Sequence, residues 1–174
     1  PRAGNFHYSP MEIEIMKNDI EQCKSLHADG IVFGLLDENG QLDKEQIKSL
    51  VALAAPLPVT FHRAFDLCYD PFEALEILVD CGVKRILTSG QKSSAMEGAE
   101  FIAELNEKAN GRIIIMPGAG INTGNISEIK SKTSCNEFHA SAKRITTLTN
   151  AFGFGENVLP HPEIIAELKK KLSV

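Results

Sequence analysis

Tryptophan is absent and tyrosine occurs only twice in the 174 residues, so there is little aromatic surface for stacking on single-stranded nucleic acid. Nor is there a long Lys/Arg run: 18 basic residues face 23 acidic ones, for a formal net charge of −5. That balance argues against nucleic acid or an anionic membrane as the main partner, since both need a concentrated positive surface. No apolar run approaches the ~20 residues of a membrane span. The opening residues, PRAGNFHYSP, lack the apolar core of a secretory signal. The expected location is therefore the cytoplasm. Cysteine is sparse as well: Cys23, Cys68, Cys81 and Cys135 are scattered, with no CxxC and no Cys/His cluster at zinc-site spacing. Free thiols in a reducing compartment are the plain expectation, and a soft-metal site requires the fold to gather distant residues.

What is present suits one globular domain, 1–174, with an ordinary hydrophobic fraction of 43%. The organising stretch is Pro58-Val-Thr-Phe-His-Arg-Ala-Phe-Asp66. Its β-branched and aromatic start suits a buried strand, and His62, Arg63 and Asp66 fall where that strand must end. Pro71 and an amphipathic segment, 72–81, follow. This is one strand–loop–helix unit of an α/β protein, and in such folds the carboxyl ends of the strands carry the chemistry.

Further units flank it. Ser9-Pro10 reads as cap and first turn of a helix reaching about Ala28. Residues 30–36 read as a strand, and Asp43 as the cap of a helix to about Ala54. Gly82 closes the central helix, and 83–89 form the next strand. A helix from about Ser94 to Ala109, a strand at 112–116, a short helix from about Thr123 to Ser131 and a strand at 137–141 continue the pattern. Residues 143–158 show no period and read as a long loop. A last helix spans about 162–172. Five strands and six helices at this spacing have the rhythm of parallel βα units. A (β/α) barrel takes eight units and typically ~250 residues. The expectation is therefore a TIM-like barrel that is incomplete at the N-terminus, short of roughly three opening strands. A complete doubly wound sheet of five strands is the alternative.

Period-two alternation sorts the strand residues by face. Glu137, His139 and Ser141 share one phase against Phe138 and Ala140, and Thr60 and His62 share one against Val59 and Phe61. The polar phases should face the barrel interior, so His62 and His139 are expected to look into a common space near its upper rim. Either a satisfied core histidine or a proton carrier fits that position. Arg63 suits an anion, or an internal ion pair with Asp66. Ser89-Gly90 and Pro117-Gly-Ala-Gly120 are glycine-bearing turns after strands, where backbone N–H groups approach an anion closely. A phosphate site after the last two barrel strands would involve Gly118, Gly120 and the loop after Ser141. Gly-Ala-Gly after a strand also serves simple tight turning.

These segments resemble the CutC copper-homeostasis family. The likeness runs through Pro1-Arg-Ala-Gly-Asn-Phe-His-Tyr-Ser9, the VTFHRAFD string of residues 59–66, Arg85-Ile-Leu-Thr-Ser-Gly90, Pro117-Gly-Ala-Gly-Ile121 and Glu137-Phe-His-Ala-Ser-Ala142, in the family's order. The resemblance implies a TIM-like barrel, a cytoplasmic setting and Cu(I) binding, with copper ion as partner. It further implies that the opening strands, which carry the cysteines usually put forward as copper ligands, lie outside this sequence. None of the four cysteines falls in an equivalent motif, so the metal ligands are unknown. Ala3 and Asn5 stand where the family commonly has Gly and Asp. Arg2, His62, Arg63, Asp66, Ser89, Gly90, Gly118, Gly120, His139 and Ser141 are the shared residues at strand ends. An enzyme on a small anionic or phosphorylated substrate is the competing expectation, with His62 or His139 moving protons and Arg2 and Arg63 neutralising charge. Unpaired barrel edges also predict a homo-oligomer.

Overall fold

The computed structural model describes residues 4–146 and 157–173. Helix α1 (Pro10–Ser25) starts where predicted, because Ser9 and Glu12 cap it reciprocally: the Glu12 N–H donates to Ser9 Oγ, and the Ser9 N–H to Glu12 Oε2 at 2.8 Å. Strand β1 (Ile31–Phe33) leads to α2 (Lys44–Ala54), whose cap Asp43 accepts from the Gln46 N–H. Strand β2 (Val59–Phe61) ends in a 3₁₀ turn, Arg63–Leu67, before α3 (Pro71–Asp80). Asp70 caps α3 by accepting from the Phe72 and Glu73 N–H groups, with Pro71 in the first turn. Strand β3 (Arg85–Thr88), α4 (Ala99–Ala109), β4 (Ile114–Pro117) and α5 (Ile126–Thr133) repeat the unit. Strands β5 (Lys143–Thr146) and β6 (Asn157–Pro160) and helix α6 (Pro162–Leu172) complete the described elements.

Strand order decides between the two architectures. The sheet runs β1-β2-β3-β4, every pair parallel, with no reversal point. Right-handed crossovers between sequential neighbours place all the connecting helices on one face. Neighbouring helices accordingly pack side by side from α1 to α6. This is an arc of a TIM-like (β/α) barrel, not a doubly wound sheet, which needs a change of direction and helices on both faces.

Register divides the strand residues as alternation requires. Phe33, Phe61, Ile86 and Ile115 align across the ladder and are buried beneath the helices with Ile47, Leu50, Leu75, Leu78, Ile102 and Leu105. The opposite phase, Val32, Thr60, Arg85 and Ile114, lines the inner face of the arc. There Val32 is 63% exposed, whereas its partner Thr60 is 7% exposed.

Three expectations are corrected. Residues 137–141 are extended but form no ladder strand; one backbone bond, the His139 N–H to the Pro117 carbonyl at 2.9 Å, seats them beside β4. The predicted loop 143–158 holds β5 and the start of β6, which pair as an antiparallel ribbon, and its residues 147–156 lie outside the described part. Helix α4 begins at Ala99, not Ser94, because Gly98 is pressed against the β3 turn: a Cβ there would stand 2.0 Å from the Ser89 carbonyl oxygen. The backbone at 89–98 is folded upon itself before the helix starts.

Candidate functional site

The rim at the carboxyl ends of β2 and β3 is organised by Asp66. The 3₁₀ turn swings its carboxylate over the next strand, where the side chain is 6% exposed. Oδ1 accepts from the Thr88 hydroxyl, from the Ser89 N–H at 3.0 Å and from the Gln91 N–H at 3.3 Å. Oδ2 accepts from Arg63 Nε at 2.7 Å. The Ser89 hydroxyl accepts from Arg63 Nη2 at 2.8 Å and lies 2.6 Å from the Lys92 carbonyl and 3.0 Å from Asp66 Oδ2, donating its single proton to one of the two at a time. Arg63 and Asp66 therefore form the internal ion pair, and Ser89 is fully buried beneath it. This cluster sews the β2 loop to the β3 loop.

His62 follows β2 and faces the other way. Its Nδ1 accepts from the Ala64 N–H at 3.1 Å, which leaves Nε2 to carry the proton of the neutral ring. The ring packs 4.8 Å from Phe6 and occupies the space beside Gly34, where a Cβ would stand 2.4 Å from Nδ1. Burial pushes its pKa below the ordinary histidine value, favouring the neutral form. The imidazole lines a cleft of about 380 Å³ between α1 and β1, together with Tyr8, Asp19, Cys23 and Phe33.

His139 is exposed at the far side of the arc. Three strand spacings separate its segment from β2, roughly 14 Å at ~4.8 Å each, and the His62 ring is turned toward β1. Among the described residues no hydrogen bond or ring contact joins the two histidines. Both segments reach the same rim.

The glycine turns are also partly committed to the fold. The Gly90 N–H donates to Thr88 Oγ1 at 2.9 Å and the Gly118 N–H to the Thr88 carbonyl at 2.9 Å, so neither amide is free for an anion. Gly118 is required for packing, since a Cβ would meet Leu87 Cδ1 at 2.4 Å. Gly120 is exposed with φ +74°, and its carbonyl accepts from the Asn122 and Asn125 side chains. Ser141 is exposed in the extended segment, and Arg2 lies outside the described residues.

One pair escaped the sequence reading. Arg85, on the inner face of β3, grips Glu137 through two bonds, Nε–Oε2 at 2.7 Å and Nη2–Oε1 at 3.2 Å. The polar phase of 137–141 and the odd cation in an otherwise apolar β3 were its visible signals.

Three of the four thiols do not fit a copper centre. Cys68, Cys81 and Cys135 are buried, and burial raises the pKa of each, with the charges of Asp66 and Asp70 helping to push Cys68 up to about 12. A soft metal needs thiolates, which these surroundings oppose. Among the described residues no group of three or more His, Cys, Asp or Glu is placed to hold a metal ion.

Comparison with known proteins bears on most of the chain. A family model described as the CutC family matches residues 1–144. A Mus musculus protein named "Copper homeostasis protein cutC homolog" is 53% identical over 143 residues, covering 82% of this chain and 53% of the mouse protein. A CutC family protein of Parabacteroides distasonis is 51% identical over 145 residues, 83% of this chain and 60% of that protein. The crystal structure of CutC from Streptococcus agalactiae superposes with a TM-score of 0.76 at 36% identity, over 80% of this chain and 68% of that one. The chain thus spans little more than half the length of the curated relatives it matches.

Proposed function

The chain belongs to the CutC family, and from that premise we propose that it takes part in copper homeostasis in the cytoplasm, as the part of a Cu(I)-handling barrel that frames the site without ligating the metal. The family match over residues 1–144 carries this reading. Burial of Cys68, Cys81 and Cys135, which disfavours their thiolates, supports ligands contributed from outside this chain. Disruption of the gene is expected to lower the copper concentration at which cells grow, and competition with a chromophoric Cu(I) chelator is expected to show the isolated chain at least 100-fold weaker than a full-length relative. Unchanged copper tolerance, or equal Cu(I) affinity of the two proteins, would remove the proposal.

His62 favours a second reading, a barrel enzyme on a small anionic or phosphorylated substrate. A neutral imidazole with its Nδ1 already bonded and its ring lining a cleft has the form of a proton carrier. On this reading Arg63 meets the anion through its outer edge, and Gly120 and Ser141 complete the rim. Phosphate titration followed by NMR tests it: shifts confined to the 62–66 and 118–121 amides support a site, and their absence at 50-fold excess over protein leaves none.

A further inference from the structure

Two Asn-Gly pairs occur in the chain, Asn39-Gly40 and Asn110-Gly111, and the fold treats them differently. Such a pair is chemically reactive because the glycine nitrogen, with no Cβ beside it to hinder approach, can attack the preceding side-chain amide. Asn39-Gly40 is held. The Asn39 N–H donates to Asp37 Oδ1 at 2.8 Å and the Gly40 N–H to the Asp37 carbonyl at 3.2 Å, while the Gly40 carbonyl accepts from the Tyr69 N–H at 2.9 Å. The Gln41 N–H, and with it the Asn39 N–H and side-chain amide, hold the Asp37 carboxyl below its ordinary value, so the Asn39 amide is itself engaged. A Cβ at Gly40 would meet the Leu67 carbonyl oxygen at 3.3 Å, so the backbone is packed there.

Asn110-Gly111 is the opposite case. Asn110 ends α4 as its C-cap in the left-handed conformation, φ 44° and ψ 44°, with its N–H donating to the Asn106 and Glu107 carbonyls. Both residues are exposed, and a Cβ built at Gly111 would meet nothing within 4 Å. Among the described residues neither the Asn110 side chain nor the Gly111 N–H makes a hydrogen bond. Helix ends fray first, so this turn can rotate into the geometry that ring closure needs.

We propose that Asn110 is a site of spontaneous backbone modification, converting to aspartate and isoaspartate well ahead of Asn39. The Gly111 nitrogen gives up its proton to solvent base and bonds to Asn110 Cγ; the Cγ–Nδ2 bond breaks and ammonia leaves with a proton returned by solvent. Water then opens the five-membered succinimide, with no oxidation or reduction. Cleavage at Cγ gives aspartate. Cleavage of the original peptide bond leaves the chain running through the side chain, as isoaspartate, with one extra backbone carbon. Either product places a carboxylate at the negative end of α4. There Arg112 bonds the Ala109 and Lys108 carbonyls at 3.2 and 2.9 Å and pairs with Glu76 of α3 at 2.7 Å, and its backbone N–H donates to the Ala109 carbonyl. The extra carbon of isoaspartate breaks the register of that cap. The turn lies at the amino ends of the strands, opposite the rim, so the change sets how long the fold lasts and not what the rim binds.

The test incubates the 174-residue chain at mildly alkaline pH and maps its peptides by mass spectrometry. Each exchange of amide nitrogen for oxygen is read from the mass, and electron-transfer fragmentation separates isoaspartate from aspartate. Asn110 is expected to convert at least ~10-fold faster than Asn39 in the folded chain, and the two at rates within about twofold in urea, where both turns are lost. The modified chain, separated on an anion exchanger by its added negative charge, should exchange the Arg112 amide at least ~10-fold faster than the parent. Asn110→Gly, which fits the left-handed cap, should keep the melting temperature of the parent and abolish the product in that peptide. Failure of Asn110 to convert, equal conversion of Asn39 in the folded chain, a preference for Asn110 that persists undiminished in urea, or an unchanged Arg112 amide in the modified chain would each overturn the proposal.

Discussion

Replacing Asp66 tests whether the rim cluster is what joins the β2 and β3 loops. Asp66→Ala removes the acceptor for the Thr88 hydroxyl, the Ser89 N–H, the Gln91 N–H and Arg63 Nε at once. Gln91 and Arg63 are exposed and turn to water, so their loss counts for little. Thr88 and Ser89 are 0% exposed, and each buried donor left without a partner costs about 1–3 kcal/mol. The expected destabilisation is therefore about 4 kcal/mol, or roughly 10 °C in melting temperature for a domain of this size. Asp66→Asn keeps one carbonyl oxygen but turns an NH₂ group on the other side toward donors, and should fall about halfway. Arg63→Ala, whose side chain is 43% exposed, should cost less than ~1 kcal/mol. Urea unfolding followed by circular dichroism measures all three. An Asp66→Ala midpoint within ~0.5 kcal/mol of the parent, or Arg63→Ala as damaging as Asp66→Ala, would show that the cluster forms on a frame already held by other contacts.

Gly98→Ala should be among the most damaging single-methyl changes in the chain, because the new Cβ meets backbone, the Ser89 carbonyl at 2.0 Å, and not a side chain that can rotate away; an overpacking cost above ~2 kcal/mol in the same unfolding assay is expected. His62 gives a pH dependence of defined sign. Its pKa is lowered in the folded state, so the unfolded chain protonates first: stability is intact above the ordinary histidine range, near 6.5, and declines as pH falls from there toward the depressed folded value. His62→Asn retains an acceptor for the Ala64 N–H and should flatten that slope, read from unfolding midpoints at pH 7.5 and 5.5 beside an NMR titration of the imidazole. Cys23 is the half-buried thiol and the other three are buried, so a thiol reagent should label one cysteine quickly and three only after denaturation; fast labelling of Cys68 would contradict its packing. Arg85→Ala frees Glu137 and should release residues 137–142 from the inner face, seen as faster amide exchange at His139 with little change in the helices.

Local chemistry made much of this molecule readable from its residues. Ser9-Pro10, Asp43 and the run from Ile164 to Leu172 announce helix starts and faces within short reach, because capping bonds span only three or four residues. The Val59–Phe61 strand and its polar tip were visible for the same reason. The segment 137–141 misled: its alternation is real, but a ladder needs backbone bonds repeated along the pair, and these residues bond to β4 at a single point. Residues 143–146 pair with β6, more than ten residues away, a partnership that no local pattern records.

The residues by themselves determined the βα rhythm, the caps, the inner and outer phases of the 59–62 stretch and the family resemblance, since each depends on neighbours in the chain or on strings of identical residues. Only the tertiary structure decided that the strands pair in sequential order, that Arg63 turns back on Asp66, and that the His62 ring packs beside Phe6 and Gly34. Those outcomes depend on where the ends of separate strands lie in space. Strand spacing, sheet curvature and the crowding of Ser89 against Gly98 set those positions, and no periodicity along the chain records them.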